Sequence, residues 1–479
     1  MSRKLFLIVL AAACVVVFNN ARAQAEHPTS STYVWPSDPL VKEKLEKWRD
    51  QKFGMIVHWG LYAVPGIIES WELCSEDWIN RDSTVRYEDF KTWYWGLQKD
   101  FNPVNFAPDQ WAKAAKDAGM RYVVFTTKHH DGFNMFDTKQ TDFKITNGPF
   151  RSHPKADVAK YVFSAFREQG FMIGAYYSKP DWHSEYYWWP RYATADRNNN
   201  YDIRKNPWRW NQFKSFTYNQ IHELTHNYGS IDILWLDGGW VRPLESVTDE
   251  VRAWGAAIPP WSQDIDIPKI AAMARSAQPG MLVVDRTVHG EFENYQTPEQ
   301  SIPKQKLDHP WESCITLGGA WGYVPNDQYK SAATVIHTLI EIVAKGGSLL
   351  LGVGPQADGT LKTEQIERLK EIGEWLKQNG EGIYNTRATI HYRDGNTWFT
   401  QAHNGTLYAL VCLEKDKPLP ETVTWKLNIP AKGSSIKLLA NGENVKWKRE
   451  GDMVTVTVPS SFRKKYTAYP AMAFSFSKE

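Results

Sequence analysis

From about residue 40 to residue 380 the chain alternates short apolar runs with stretches whose apolar positions recur at helical spacing. That alternation is the pattern of βα units around a parallel sheet. The runs predict strands at 54–60, 121–128, 171–178, 231–238, 281–286 and 347–353. Helical spacing predicts helices at 108–118, 158–169, 213–227, 268–277, 329–344 and 363–378. Pro108 and Pro268 suit the first helical turn, where a missing N–H costs little. Six strands over this length predict a (β/α)8-like barrel, complete or imperfect, across residues 33–382, in preference to an open doubly wound sheet. Beyond about residue 384 the runs become short and alternating, at 397–402, 406–413, 422–427, 435–439, 454–458 and 471–475. Turn residues such as Asn404-Gly405 and Asn441-Gly442 separate them, so residues 385–479 are expected to form an antiparallel β-sandwich.

Residues 1–25 carry a different pattern. Arg3 and Lys4 precede an apolar stretch at 5–18, and Ala21-Arg22-Ala23 or Ala23-Gln24-Ala25 offers a small-x-small cleavage site. This is the pattern of an export signal, and the apolar run is short of the ~20 residues a spanning helix needs. A lipoprotein reading through Cys14 is the weaker one, because valines and Phe18 follow that cysteine. The expectation is a soluble protein in the periplasm or the medium, with no membrane association once the signal is removed.

Bulk composition narrows the function. A formal charge of +2 with interspersed acids and bases gives no case for nucleic acid. Apart from Cys14 there are Cys74, Cys314 and Cys412, an odd number without short spacing, which is neither a disulfide framework nor a zinc motif. The 23 tryptophans are a surplus that fits sugar binding, where an aromatic face lies against the C–H face of a pyranose.

The polar residues that end the strand candidates point to a site. His58-Trp59 follows the first, Lys128-His129-His130-Asp131 the second, and Tyr177 with Asp181-Trp182-His183 the third. Asp237 follows the fourth and Asp285-Arg286 the fifth. In a βα barrel such positions converge on the C-terminal rim, where active sites sit. A loop rich in Tyr, Trp, Arg and Asn at 186–210 is expected over the mouth.

Asp237 ends an apolar strand and is followed by Gly238-Gly239, which permit a tight turn beside a little-shielded carboxylate. A fixed carboxylate of that kind serves as a nucleophile, whereas its bland alternative is a helix cap. Configuration-retaining sugar hydrolysis needs a second carboxyl about 5–5.5 Å away. Asp285, Glu291, Glu293 and Glu299 are the candidates, with Asp285 expected to pair with Arg286 instead. His58, His129 and His130 offer a donor and an acceptor each to sugar hydroxyls, and adjacent strand-end histidines are expected to point in opposed directions. No metal or cofactor is expected, since the histidines lack ligand spacing and the glycine-rich run at 345–355 lacks the phosphate-loop order.

The blocks Lys52-Phe53-Gly54-Met55-Ile56-Val57-His58-Trp59-Gly60, Thr126-Thr127-Lys128-His129-His130-Asp131-Gly132-Phe133, Tyr176-Tyr177-Ser178, Leu234-Trp235-Leu236-Asp237-Gly238 and Trp311-Glu312-Ser313-Cys314, in this order, resemble the α-L-fucosidases of glycoside hydrolase family 29. The resemblance implies a retaining exo-α-L-fucosidase that releases terminal α-L-fucosyl residues from a fucosylated oligosaccharide or glycoconjugate through a covalent intermediate. It implies Asp237 as nucleophile, with His58, His129, His130, Tyr177 and Trp235 lining the sugar pocket and Arg286 near its mouth. Glu69 and Trp71 lie in Glu69-Ser70-Trp71-Glu72, which is similar to the family's Glu-Trp-Tyr segment with one residue inserted. Thr297-Pro298-Glu299 resembles the family's Thr-x-Glu block, which implies Glu299 as acid/base, with Glu293 and Glu291 as alternatives. Two other functions share this pattern: the same chemistry on α-L-galactosides, which differ by one hydroxyl at C6, and non-catalytic fucose binding.

Overall fold

The computed structural model describes residues 32–478 apart from 77, 80, 254, 256 and 467. The expected export signal at 1–25, with Cys14, lies outside the described residues. Seven parallel strands form the central sheet: β1 (Phe53–Val57), β2 (Tyr122–Lys128), β3 (Met172–Ser178), β4 (Ile233–Asp237), β5 (Leu282–Asp285), β6 (Glu312–Thr316) and β7 (Ser348–Gly352). Their order is β5-β4-β3-β2-β1-β7-β6. Nearly every residue in them is buried, which is why they read as unbroken apolar runs.

β6 escaped the sequence reading because its residues, Glu312-Ser313-Cys314-Ile315-Thr316, look like a loop. Its polar groups are satisfied internally. The Tyr122 hydroxyl and the Trp235 indole N–H donate to the Glu312 carboxylate at 2.7 and 3.1 Å, and the Ser313 hydroxyl donates to the Ser301 carbonyl. Burial under these partners raises the Glu312 pKa to about 7.

The sheet curls into a barrel whose eighth position holds an irregular segment. Residues 292–300 run antiparallel to β5 and then parallel to β6, through bridges Val284–Glu293, Gln296–Trp311 and Glu299–Cys314. Backbone bonds from Asn294 N to Val283 O and from Cys314 N to Pro298 O close the ring. The barrel is therefore the imperfect form of the expected fold, and the segment that carries Glu293 and Glu299 is the imperfection.

Outside the sheet, helices cover the ring as the spacing predicts. In Val158–Glu168 the residues Val158, Val162, Phe163 and Phe166 are buried, one stripe of a helix facing β2 and β3. The helix Ala332–Ala344 starts three residues later than expected because the Ser331 hydroxyl caps it, accepting from Thr334 N. A further helix, Pro39–Arg49, was not foreseen. It buries Val41, Leu45 and Trp48 in the same cluster as Ile56, Tyr122, Ile233, Leu282 and Leu350. Trp48 stacks on Tyr295 with ring centres 3.8 Å apart, and Lys44 pairs with Asp232 at the foot of β4. The helix thus plugs the barrel at the end opposite the strand-end carboxylates.

The C-terminal strands are β8 (Thr386–Asp394), β9 (Thr397–Ala402), β10 (Leu407–Cys412), β11 (Thr422–Lys426), β12 (Ile436–Leu438), β13 (Glu443–Val445), β14 (Trp447–Glu450), β15 (Met453–Thr457) and β16 (Ala471–Phe476). They form a six-stranded antiparallel sheet, β13-β12-β16-β10-β9-β8, facing a three-stranded one, β11-β15-β14. β11 alternates buried and exposed positions, as a strand with one wet face must. β10 and β16 are buried on both faces, because Leu410, Ala471 and Ala473 join the barrel core while Ala409, Met472 and Phe474 fill the sandwich. Cys74, Cys314 and Cys412 are unpaired, and no helix among the described residues is long and apolar enough to cross a membrane.

Because Trp48 seals the barrel foot, replacing it with alanine should lower the unfolding free energy by about 3–5 kcal/mol, the cost of a large buried cavity. Denaturant unfolding of the variant measures this, and a change under about 1 kcal/mol would show that the plug stabilises nothing.

Candidate active site

At the C-terminal rim one cavity is lined by Ile56, His58, His129, His130, Tyr176, Trp235, Asp237, Arg286, Glu299, Cys314 and Trp321, with Trp71, Trp78, Arg197 and Trp240 also in its wall. Asp237 reaches it because alternate β4 residues face the barrel axis, and Trp235 shares that face. Gly238 follows at φ +89°, and a Cβ there would come 2.3 Å from Pro180, so only glycine permits this turn.

The centre is a guanidinium that holds two carboxylates. Arg286 donates through Nη1 to Asp237 at 2.7 Å and through Nη2 to Glu299 at 2.9 Å, while Nε donates to the Thr297 hydroxyl at 3.0 Å. Its plane lies 4.5 Å from the Trp235 ring centre. The second oxygen of Asp237 accepts from the Tyr176 hydroxyl at 2.7 Å, and the second oxygen of Glu299 accepts from the Trp321 indole N–H at 3.2 Å. Trp321 fits there because its ring lies where a Cβ on Gly352 would be, 2.8 Å away.

These partners shift the two carboxyls in opposite directions. Burial works against the charge of Asp237, but the Arg286 guanidinium, the Tyr176 hydroxyl and the Gly238 N–H outweigh it and hold the carboxyl well below the usual range. For Glu299 burial prevails, and with the charge of Asp237 beside it the carboxyl is raised above its ordinary value despite Arg286. The two carboxyls are thus pushed apart, Asp237 toward the ionised form and Glu299 toward the protonated one, the direction that acid/base chemistry on a bridging oxygen needs.

Three imidazoles surround the pair. His58, His129 and His130 are each driven toward the neutral form by burial, His129 to about 4. The Ser70 hydroxyl is bonded to His129 Nδ1, whereas Nδ1 of His58 and of His130 has no hydrogen-bond partner among the described residues.

Several expectations are corrected. Tyr177 is not in the cavity. Strand alternation turns it outward, where it donates to Gln220 at 2.7 Å and accepts from Lys128 at 3.0 Å, and its neighbour Tyr176 faces Asp237 instead. His129 and His130 do not point in opposed directions: both line the cavity, 4.4 Å apart, because β2 ends at Lys128 and strand alternation stops there. Asp285 pairs with Lys179, not with Arg286, which is already engaged. Glu293 accepts from Thr287 N and His289 and does not line the cavity, and Glu291 is exposed. Glu69 is buried but spent on the Gly322 amide at 2.7 Å, which fastens the loop carrying Trp321, and burial raises its pKa to about 7.

The sequence reading missed Trp321, Trp78, Arg197 and Trp240. The last three sit in rim loops, where no periodicity marks which side chain turns inward, although the 186–210 segment had been read as lying over the mouth. Among the described residues no group of three or more His, Cys, Asp or Glu is arranged to hold a metal ion.

A family profile described as Alpha-L-fucosidase matches residues 20–381. The plasma alpha-L-fucosidase of Homo sapiens is 28% identical over 440 residues, 86% of this chain and 85% of that protein. Alpha-L-fucosidase isoenzyme 1 from Paenibacillus thiaminolyticus superposes with a TM-score of 0.72 at 30% identity, over 92% of this chain and 100% of that one. The Thermotoga maritima alpha-fucosidase, solved in complex with a mechanism based inhibitor, gives a TM-score of 0.69 at 25% identity, over 93% of this chain and all of that one.

The neutral imidazoles yield a direct check. Nitrogen chemical shifts should show His129 unprotonated from pH 8 down to pH 5, because burial lowers its pKa to about 4, and His58 and His130 unprotonated at pH 6.5, because burial lowers theirs well below that value. A titration of any of them near pH 6.5 would contradict the desolvation argument.

Proposed function

The chain belongs to the α-L-fucosidase family of glycoside hydrolases, and on that premise we propose that it is a retaining exo-enzyme whose nucleophile is Asp237 and whose acid/base is Glu299. The observation that carries this reading is the shared Arg286, which brings the two carboxylates onto one guanidinium. Two nitrogens of a single planar group keep their partners close together, which supports the short carboxyl separation of retaining enzymes, about 5–5.5 Å, over the wider spacing of inverting ones.

In the first step an Asp237 oxygen attacks the anomeric carbon of a terminal α-L-fucosyl residue while Glu299 delivers its proton to the departing oxygen. Asp237 becomes an uncharged ester as Glu299 becomes a carboxylate. The charge leaves one side of Arg286 and appears on the other, so the guanidinium is compensated before and after the step. In the second step Glu299 takes a proton from water, which attacks the same carbon, and Asp237 is released. The complex of the Thermotoga maritima relative with a mechanism based inhibitor supports this two-step account.

His58, His129, His130 and Trp235 are proposed to hold the fucosyl hydroxyls and C–H face, and Trp71 to close the sugar in. Tyr176 takes the place first given to Tyr177, keeping the idle oxygen of Asp237 in position. The substrate class is a fucosylated oligosaccharide or glycoconjugate. With residues 1–25 read as an export signal, the enzyme acts in the periplasm or outside the cell.

Replacing Asp237 with alanine should lower kcat on an aryl α-L-fucoside by about 10⁴-fold or more, as loss of a covalent catalyst does elsewhere. Turnover within about tenfold of the parent would eliminate Asp237 as nucleophile. For the second carboxyl, Glu299→Ala and Glu293→Ala are compared with and without sodium azide. Rescue with formation of fucosyl azide is expected for Glu299→Ala alone, and rescue of Glu293→Ala would transfer the acid/base role to Glu293.

A further inference from the structure

Arg197 lies in the cavity wall, yet the chemistry of bond cleavage does not use it. The loop that carries it holds it with unusual care. Its backbone N–H and its Nε both donate to one oxygen of Glu76, at 3.2 and 2.8 Å. Its carbonyl accepts from the Trp182 indole at 3.1 Å, the Tyr187 hydroxyl at 3.0 Å and the Trp240 indole at 3.1 Å. These contacts fix the residue from its backbone out to Nε. The guanidinium carbon then rests 5.1 Å from the ring centres of both Trp71 and Trp240. Beyond Nε, neither terminal nitrogen donates to any of the described residues.

We infer that Arg197, with Trp71, Trp78 and Trp240, is the subsite for the leaving group, and that it grips a neutral pyranose next to the fucosyl residue. The two terminal nitrogens form a rigid planar fork of donors, which matches a pair of neighbouring hydroxyls. Glu76 already balances the charge, so the fork meets an uncharged sugar without leaving an unpaired cation and has no surplus charge with which to select an anionic one. The indoles provide flat apolar faces for the C–H side of the same ring. Trp71 belongs to both halves of the site, since it touches His130 at 5.1 Å between ring centres and Trp240 at 5.9 Å. The pocket for the released sugar and the grip on the leaving sugar therefore share a wall. The inference rests on the fucosidase reading of Asp237 and Glu299 and deepens it by assigning the residues that would bind the leaving group, a wall that favours a neutral sugar over a simple aglycone.

The test is Arg197→Met, which keeps an unbranched apolar stem over the indoles and removes the donors. kcat/KM is measured on 4-nitrophenyl α-L-fucoside and on a neutral fucosylated trisaccharide, and the ratio of trisaccharide to aryl values is compared with that of the parent. The ratio should fall by about tenfold or more, the value of one to two lost hydrogen bonds. An unchanged ratio, whether both values hold or both fall together, would overturn the inference and leave Arg197 a structural residue of the loop. Arg197→Lys, which retains the charge but not the fork, should leave the ratio reduced, and recovery of the parent ratio by lysine would count against the hydroxyl fork. If the parent enzyme releases fucose from neither substrate, the underlying assignment of function falls, and the subsite falls with it.

Discussion

Everything at the rim is arranged around the need to keep one guanidinium compensated in a nearly water-free place. Arg286 is buried on an indole face and bonded to two carboxyls, one held well below the usual carboxylate range and the other raised above it. Unpaired, such a cation would carry a desolvation cost of several kcal/mol. Paired with Asp237, the carboxyl pushed toward the ionised form, it has its charge compensated. In the proposed reaction the proton leaves Glu299 as Asp237 loses its charge, so the total is unchanged. Burial keeps the surrounding histidines toward the neutral form, against the pull of the Asp237 charge.

The scaffold explains how two acids pushed in opposite directions come to share one base. Asp237 is fixed by strand register, with Tyr176 opposite Trp235 and Ser178 opposite Asp237 in the β3–β4 ladder. Glu299 comes from the irregular segment that closes the barrel, where backbone bonds to β6 set its place instead of a regular ladder. One partner is thus bound to the most repetitive part of the fold and the other to its least repetitive part. Trp321 and Glu69 bring the second partner to heel, Trp321 by its bond to Glu299 and Glu69 by fastening the loop that carries Trp321.

This difference also governs what the sequence discloses. Asp237, His58, His129, His130 and Arg286 were legible because each ends an apolar run, and a barrel brings such ends together. Tyr176 and Tyr177 are adjacent aromatics in one strand, and the choice between them is a question of parity that composition does not answer. β6 was hidden because Glu312 and Ser313 find their partners inside the barrel, so a buried strand reads as a polar loop. The plug helix shows only Val41, Leu45 and Trp48 as its apolar stripe, too few to stand out. Arg197 and Trp240 were illegible for a more general reason: a rim loop has no period, and only its tertiary bonds decide which way a side chain turns.

The plug has a consequence for how the molecule assembles. The stacking partner of Trp48 is Tyr295, in the irregular segment between β5 and β6, so the first helix and that segment are joined by a contact spanning more than half the chain. Contacts of such high sequence separation form late, because the loop-closure entropy must be met before the contact gives anything back. The seal at the foot of the barrel thus ties the segment before β1 to the segment after β5. Tyr122, edge-on to Trp48, donates to Glu312, so the same seal keeps from water a carboxyl whose pKa burial raises to about 7.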